Sequence, residues 1–209
     1  MITPVIALLR TSLFPLLTLG WSLYYLTGLP LIYLLGRRYE IWRNHAMSLW
    51  GKSVLLLFNM KVEVEGMLPE PPFLHVSNHL SYMDIPVYSS LLKTTFVSKH
   101  EVKEWPVIGY VAQKLGIVFI DRRNKNDLHR VNEEISNQIN ESQGLLFFPE
   151  GTTSPGLYVM RFRNSLLDGA ARDGMGVTYS AIRYETTGSD DPAYKSVCWW
   201  GGTGLLKHI

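Results

Sequence analysis

The chain is expected to fold as an α/β domain, a sheet covered by helices on both faces, behind an N-terminal segment that contacts a membrane. Three observations predict this. Beyond residue 60, short β-rich apolar runs alternate with helical stripes, the pattern of strands joined by crossover helices. A length of 209 residues allows one sizeable core but not two full domains. Residues 11–36 carry no charge, and the run is as long as the hydrocarbon core of a bilayer requires. Together they divide the chain into membrane-associated helices over residues 1–60 and an α/β domain over residues 61–209.

The elements follow in order. T-G-L-P at residues 27–30 is a helix stop, so the uncharged run either crosses the bilayer or folds back as two short helices in one leaflet. A secretory signal peptide fits poorly, because the run is too long and no small-residue cleavage pattern follows it. Trp42, Ala46, Leu49, Trp50 and Leu57 then keep a helical period with polar residues on the other side. Such an amphipathic helix suits an interface or the surface of a soluble core. Arg37, Arg38, Arg43 and Lys52 outnumber Arg10, which places the rest of the chain on the cytoplasmic side.

K-V-E-V-E-G at residues 61–66 alternates strictly and reads as a half-exposed strand. F-L-H-V-S-N at 73–78 is a second strand, and a helix follows over 85–92 with Asp84 as its cap or first-turn acid. T-T-F-V-S-K, G-I-V-F-I-D and G-L-L-F-F-P are further strands. Leu128, Val131, Ile135 and Ile139 make the stripe of the helix between the last two. V-T-Y-S-A-I-R-Y and S-V-C-W-W close the series.

A net charge of +2, dispersed along the chain, gives no case for a nucleic-acid partner. The single cysteine, Cys198, excludes an intrachain disulfide and a cysteine zinc site. Its bulky apolar neighbours mark it as a small core residue, not a reactive thiol.

The chemistry concentrates in H-V-S-N-H-L-S-Y-M-D, residues 75–84. Two histidines four apart would share a metal on a helix. On a strand they stand about 13 Å apart, at roughly 3.3 Å per residue, so no metal is expected and His75 reads as a packed strand residue. His79 falls at the end of a strand and Asp84 at the start of a helix, where active-site groups of open α/β sheets gather. A tight turn would let the carboxylate hold one ring nitrogen and leave the other free as a base. No G-x-S-x-G elbow or S-x-x-K occurs, so direct attack by a bound alcohol is more economical than a covalent intermediate. Ser81, between the two, suggests a turn hydrogen bond. Two later strand ends fit beside such a base. I-D-R-R brings Arg122 and Arg123 to the sheet edge, as a phosphate fork or as a solvated pair. F-F-P-E-G-T-T-S ends a strand in an acid, a glycine and small hydroxyls, more often a binding turn than an ordinary loop.

Four blocks, N-H-L-S-Y-M-D, G-I-V-F-I-D-R-R, F-P-E-G-T-T-S and more loosely V-T-Y-S-A-I-R-Y, occur in an order that resembles the glycerolipid acyltransferases, over roughly residues 60 to 200. The best-known member of that family is 1-acylglycerol-3-phosphate acyltransferase. The resemblance implies a mixed, largely parallel sheet flanked by helices, with an N-terminal membrane-binding helical hairpin, at the cytoplasmic face of a bacterial inner membrane. It implies transfer of a fatty acyl group from acyl-CoA or acyl-ACP to the hydroxyl of a lysophospholipid, lysophosphatidic acid first. It casts His79 as general base and Asp84 as its orienting partner. Arg122 and Arg123 would hold the acceptor phosphate, Glu150, Gly151 and Thr152 would shape the acceptor site, and Lys99 would stand near the reacting carbonyl. The thioester stores the driving force, so neither cofactor nor metal is implied. Thr153 stands where the family carries an arginine, and the fourth block lacks its usual proline near Thr178 and Tyr179. Both departures resemble a bacterial subgroup that includes acyltransferases making ornithine lipids, so another lysolipid is the alternative acceptor. A hydrolase using the same dyad on water, and a catalytically idle lipid-binding module, are the competing classes.

Overall fold

Thirty-one residues of the N-terminal run form one helix, α1 (Pro4–Leu34), which continues through both Pro15 and Pro30. The computed structural model describes residues 4–36, 38–121, 127–172, 174–188, 191–202, 204 and 208. The stop expected at residues 27–30 is therefore overridden, and the cause is α2 (Tyr39–Leu57). The indole of Trp42 lies against Gly28, where a Cβ would come within 2.3 Å of the ring. Its Nε1 donates to the Tyr25 carbonyl at 3.0 Å. Tertiary contact thus outweighs the local breaker. The hairpin consists of α1 and α2, not of two short helices within residues 11–36.

The helix over residues 39–57 forms as its period predicts, but its polar side is not all outward. Arg43 and Asn44 are buried. The Arg43 guanidinium donates to Gln143 Oε1, to the Leu115 carbonyl at 3.2 Å and to Asn44 Oδ1 at 3.1 Å. Burial lowers its pKa to about 10, and protein oxygens serve its two terminal nitrogens while its buried Nε has no partner among the described residues. On another side of α2, Gly51 faces α3 (Asp84–Leu91), and a Cβ there would sit 2.5 Å from the Pro86 carbonyl. The two helices therefore approach backbone to backbone.

The remaining elements are β1 (Leu74–Ser77), β2 (Thr94–Lys99), α4 (Ile108–Lys114), β3 (Val118–Ile120), α5 (Asp127–Gln138), β4 (Gly144–Phe147), α6 (Leu167–Arg172), β5 (Val177–Ser180) and α7 (Ala193–Ser196). The strands lie in the order β3-β2-β4-β1-β5, and every pairing among them is parallel. Continuous apolar runs suit strands buried on both faces. Leu145 and Phe147 join Val131, Ile135 and Ala170 under α5 and α6, while Leu146 turns to the other face with Phe73, Tyr88 and Phe96. A third cluster, Val54, Leu55, Met83 and Val87 with Phe14 and Leu17 beside it, joins the helical hairpin to α3.

Two expected strands are absent. Residues 61–66 are exposed and irregular, since nothing covers the face that the alternation of Val62 and Val64 would bury. Ser196 ends the short α7, and residues 197–200 follow it without pairing, because Trp199 donates its N–H to the Leu80 carbonyl at 2.8 Å instead of joining the sheet. The run at 177–184 is a strand only to Ser180.

Candidate active site

β1 and β4 are neighbours in the sheet, and the loops leaving their C-terminal ends meet. The first carries His79 to Asp84. Asp84 begins α3, so the chain turns back within five residues and the carboxylate reaches the imidazole: His79 Nδ1 lies 2.7 Å from Asp84 Oδ2. A carboxylate accepts only, so Nδ1 carries the hydrogen and Nε2 keeps a free lone pair. The same oxygen accepts the N–H groups of Leu80 at 2.8 Å and Ser81 at 3.2 Å. Asp84 has no solvent exposure, whereas the His79 side chain keeps 20%. Phe148, just past β4, stacks on the imidazole with centroids 4.0 Å apart and an interplanar angle of 11°. The ring is thus held by its face and by one nitrogen.

The second loop carries Glu150, which turns inward. Its Oε2 accepts the His79 N–H at 2.9 Å and its Oε1 the Met160 N–H at 2.8 Å. Ser154 donates its N–H to the His79 carbonyl at 2.9 Å, so the two loops are stitched on both sides of His79. Gly151 takes φ 74°, the left-handed conformation that lets the chain reverse behind Glu150. Thr152 is exposed. Glu150 therefore shapes the site from behind, as a carboxylate used up on backbone.

The structure describes some of the other expected residues. Lys99 ends β2, two strands over from β1, and is exposed. Arg122 and Arg123 lie outside the described residues. Ser81 is fully buried, and its hydroxyl accepts the Met83 N–H at 3.3 Å, as a turn residue would. Both ring nitrogens of His75 are taken, by the Thr178 and Ser180 hydroxyls at 2.8 Å each, and burial lowers its pKa. Cys198 is buried, and desolvation with nearby Asp84 pushes its thiol up to about 11.

Sequence reasoning missed Asn78, Phe148 and Tyr184. Tyr184 donates its hydroxyl to Asp84 Oδ1 at 2.6 Å from 100 residues away. Asn78 clamps the same segment at two points: its Oδ1 accepts the Ile182 N–H at 2.8 Å and its Nδ2 donates to the Ile182 carbonyl at 3.0 Å. A polar residue ending a buried strand was the available signal for Asn78; nothing local pointed to Tyr184.

The profile of the family described as Acyltransferase matches residues 59–179, more than half of the chain. The chain belongs to the acyltransferase family. This acyltransferase is 36% identical over 167 residues to the lyso-ornithine lipid O-acyltransferase of Pseudomonas aeruginosa, covering 80% of this chain and 63% of that one. It is 35% identical over 174 residues to the 1-acyl-sn-glycerol-3-phosphate acyltransferase of Neisseria gonorrhoeae, covering 79% of this chain and 68% of that one. Among solved structures, the crystal structure of the 1-acyl-sn-glycerophosphate (LPA) acyltransferase PlsC from Thermotoga maritima superposes with a TM-score of 0.65 at 27% identity. That match covers 83% of this chain and 72% of that one. The fold expected of the family, a largely parallel sheet flanked by helices with a helical hairpin at the N-terminus, is the one this chain has, with every pairing among the described strands parallel.

Proposed function

We propose that this protein transfers a fatty acyl group from an acyl thioester, acyl-CoA or acyl-ACP, to the free hydroxyl of a lysolipid, with His79 as general base. The observation that supports it is the pairing of His79 with the fully buried Asp84 at the C-terminal edge of a parallel sheet, with no partner on Nε2 among the described residues. Nε2 takes the hydroxyl proton as the oxygen attacks the thioester carbonyl. Asp84 holds the tautomer and balances the imidazolium that forms. The tetrahedral intermediate then expels the thiolate, and the imidazolium returns the proton to it. Nothing in the cycle requires a cofactor.

Lysophosphatidic acid is the first acceptor, with Arg122 and Arg123 as its phosphate fork and Lys99, two strands from β1 at the same C-terminal edge of the sheet, reaching toward the reacting carbonyl. A second acceptor, lyso-ornithine lipid, is favoured by Thr153 and by the Pseudomonas aeruginosa relative. The helix over Val5–Leu34 is long and apolar enough to cross a membrane and exposes Leu8, Leu16, Leu23 and Leu31, which supports action on lipids at a membrane, and the excess of basic residues after it favours the cytoplasmic face.

The test incubates the purified full chain with labelled acyl thioester and, in parallel, lysophosphatidic acid, other lysophospholipids and lyso-ornithine lipid. A new two-chain lipid is expected, and His79→Ala lowers its rate by about 10² to 10⁴-fold. Free fatty acid without two-chain lipid would turn the reading to a hydrolase.

A further inference from the structure

We propose that Tyr184 is a positioning residue for His79: its hydroxyl fixes the Asp84 carboxylate and tempers its charge, and thereby sets the basicity of the imidazole. The proposal rests on the reading of His79 as the base.

The two oxygens of Asp84 are served unequally. Oδ2 accepts three donors, His79 Nδ1–H and the N–H groups of Leu80 and Ser81, all from the turn that Asp84 itself closes. Oδ1 accepts one among the described residues, the Tyr184 hydroxyl at 2.6 Å. That bond holds the second oxygen, so that with the three donors on Oδ2 the carboxylate is fixed at both ends. It also draws negative charge away from the oxygen facing the imidazole.

Tyr184 is delivered to this place by more than its own hydrogen bond. Asn78, the residue before His79, binds the backbone of Ile182 through both its oxygen and its nitrogen. The strand that presents the base thus also grips the segment that presents the phenol. A side chain merely filling space would need neither the two-point clamp nor a short bond to a carboxylate.

The neighbouring ionisable groups do not substitute for it. On α3, the Tyr88 hydroxyl is shared between Ser77 at 2.6 Å and Ser180 at 2.7 Å, and across from it both nitrogens of His75 are occupied. At the β4 loop, Glu150 is taken up by two backbone N–H groups. Tyr82 lies against Trp199 and His208, with its hydroxyl 3.3 Å from His208 Nδ1, and the Cys198 thiol is buried beside Gly156. Burial next to Asp84 raises the Tyr184 phenol well above its ordinary value, so it remains protonated, and a donor, while His79 titrates.

The experiment reads the His79 imidazole directly. The full chain, labelled at histidine Cε1 and held in detergent micelles, is titrated by NMR without substrate, and the His79 signal is assigned by its loss in His79→Ala. In Tyr184→Phe the carboxylate regains charge toward the imidazole, so the His79 pKa rises by about half a unit or more. The acid limb of kcat/KM moves up by the same amount, and kcat falls roughly tenfold with acceptor KM unchanged, the effect of one hydrogen bond to a charged group. Incorporating 3-fluorotyrosine at position 184 keeps the shape and strengthens the donor, and the His79 pKa then moves down. Opposite shifts in the two variants establish the coupling. A His79 titration unmoved by fluorotyrosine, or moved the same way by both, overturns it even if Tyr184→Phe folds poorly. Because the titration needs no turnover, it is decided separately from acyl transfer.

Discussion

The loops after β1 and β4 each bury a carboxylate within reach of His79, and they use it in opposite ways. Asp84 spends one oxygen on the imidazole of His79, Glu150 one oxygen on its backbone N–H. The first contact acts on the proton that the ring holds; the second acts on where the ring stands. With His79 proposed as the base, chemistry and placement are divided between two acids, one opening a helix and one following a buried strand.

Replacing each acid by its amide breaks the symmetry most sharply. Asp84→Asn keeps the shape but removes the charge that fixes the tautomer and offsets the imidazolium. kcat should fall by about 10³-fold or more with acceptor KM little changed, as steady-state kinetics would show. Glu150→Gln turns an amide N–H toward a backbone N–H. The expected loss is about 1–3 kcal/mol of stability, read as a melting temperature several degrees lower, with roughly tenfold less activity. Should Glu150→Gln match Asp84→Asn in kcat while melting normally, Glu150 would belong with the chemistry after all.

A third probe lies on the same strand. Burial lowers the folded pKa of His75 below 6.5, so below pH 6.5 the unfolded chain takes up a proton that the folded chain resists. Stability carried by neutral His75 is present above pH 6.5 and is lost as pH falls toward the folded value. His75→Gln should flatten that part of the stability-pH curve in denaturant titrations, without moving the acid limb of kcat/KM. The smallest effect is expected at Thr152, which is exposed: Thr152→Ala should change stability by no more than about 0.5 kcal/mol, and a raised acceptor KM in the same variant would mark direct contact with the lipid.

Much of this arrangement was legible in the residues. The strands Val118–Ile120 and Gly144–Phe147 announced themselves because parallel strands covered on both faces are written as near-continuous apolar runs, and Leu74–Ser77 and Thr94–Lys99 as short β-rich segments between turn signals and a helix. The His79–Asp84 turn was legible because its parts lie five residues apart and a helix start fixes the acid. What the sequence concealed depends on distance or on cover. Val62 and Val64 alternate like a strand but have no neighbouring strand to pair with, and Tyr184 meets Asp84 only because Asn78 holds Ile182 across the end of the sheet. Arg43 read as an outward cation because its acceptors, the Leu115 carbonyl and Gln143, belong to segments 72 and 100 residues on, just before β3 and β4.

Arg43 has a mechanical consequence. Together with the Tyr25 hydroxyl on the Lys114 carbonyl and Arg10 Nε on the Leu57 carbonyl, it fastens the helical hairpin within itself and to the blunt end of the sheet, away from His79. The hairpin is then a keel, not a tether. It is held at that end by these bonds and, along its flank, by Val54 and Leu55 against Met83 and Val87, the last of which stands one turn into the helix that Asp84 begins.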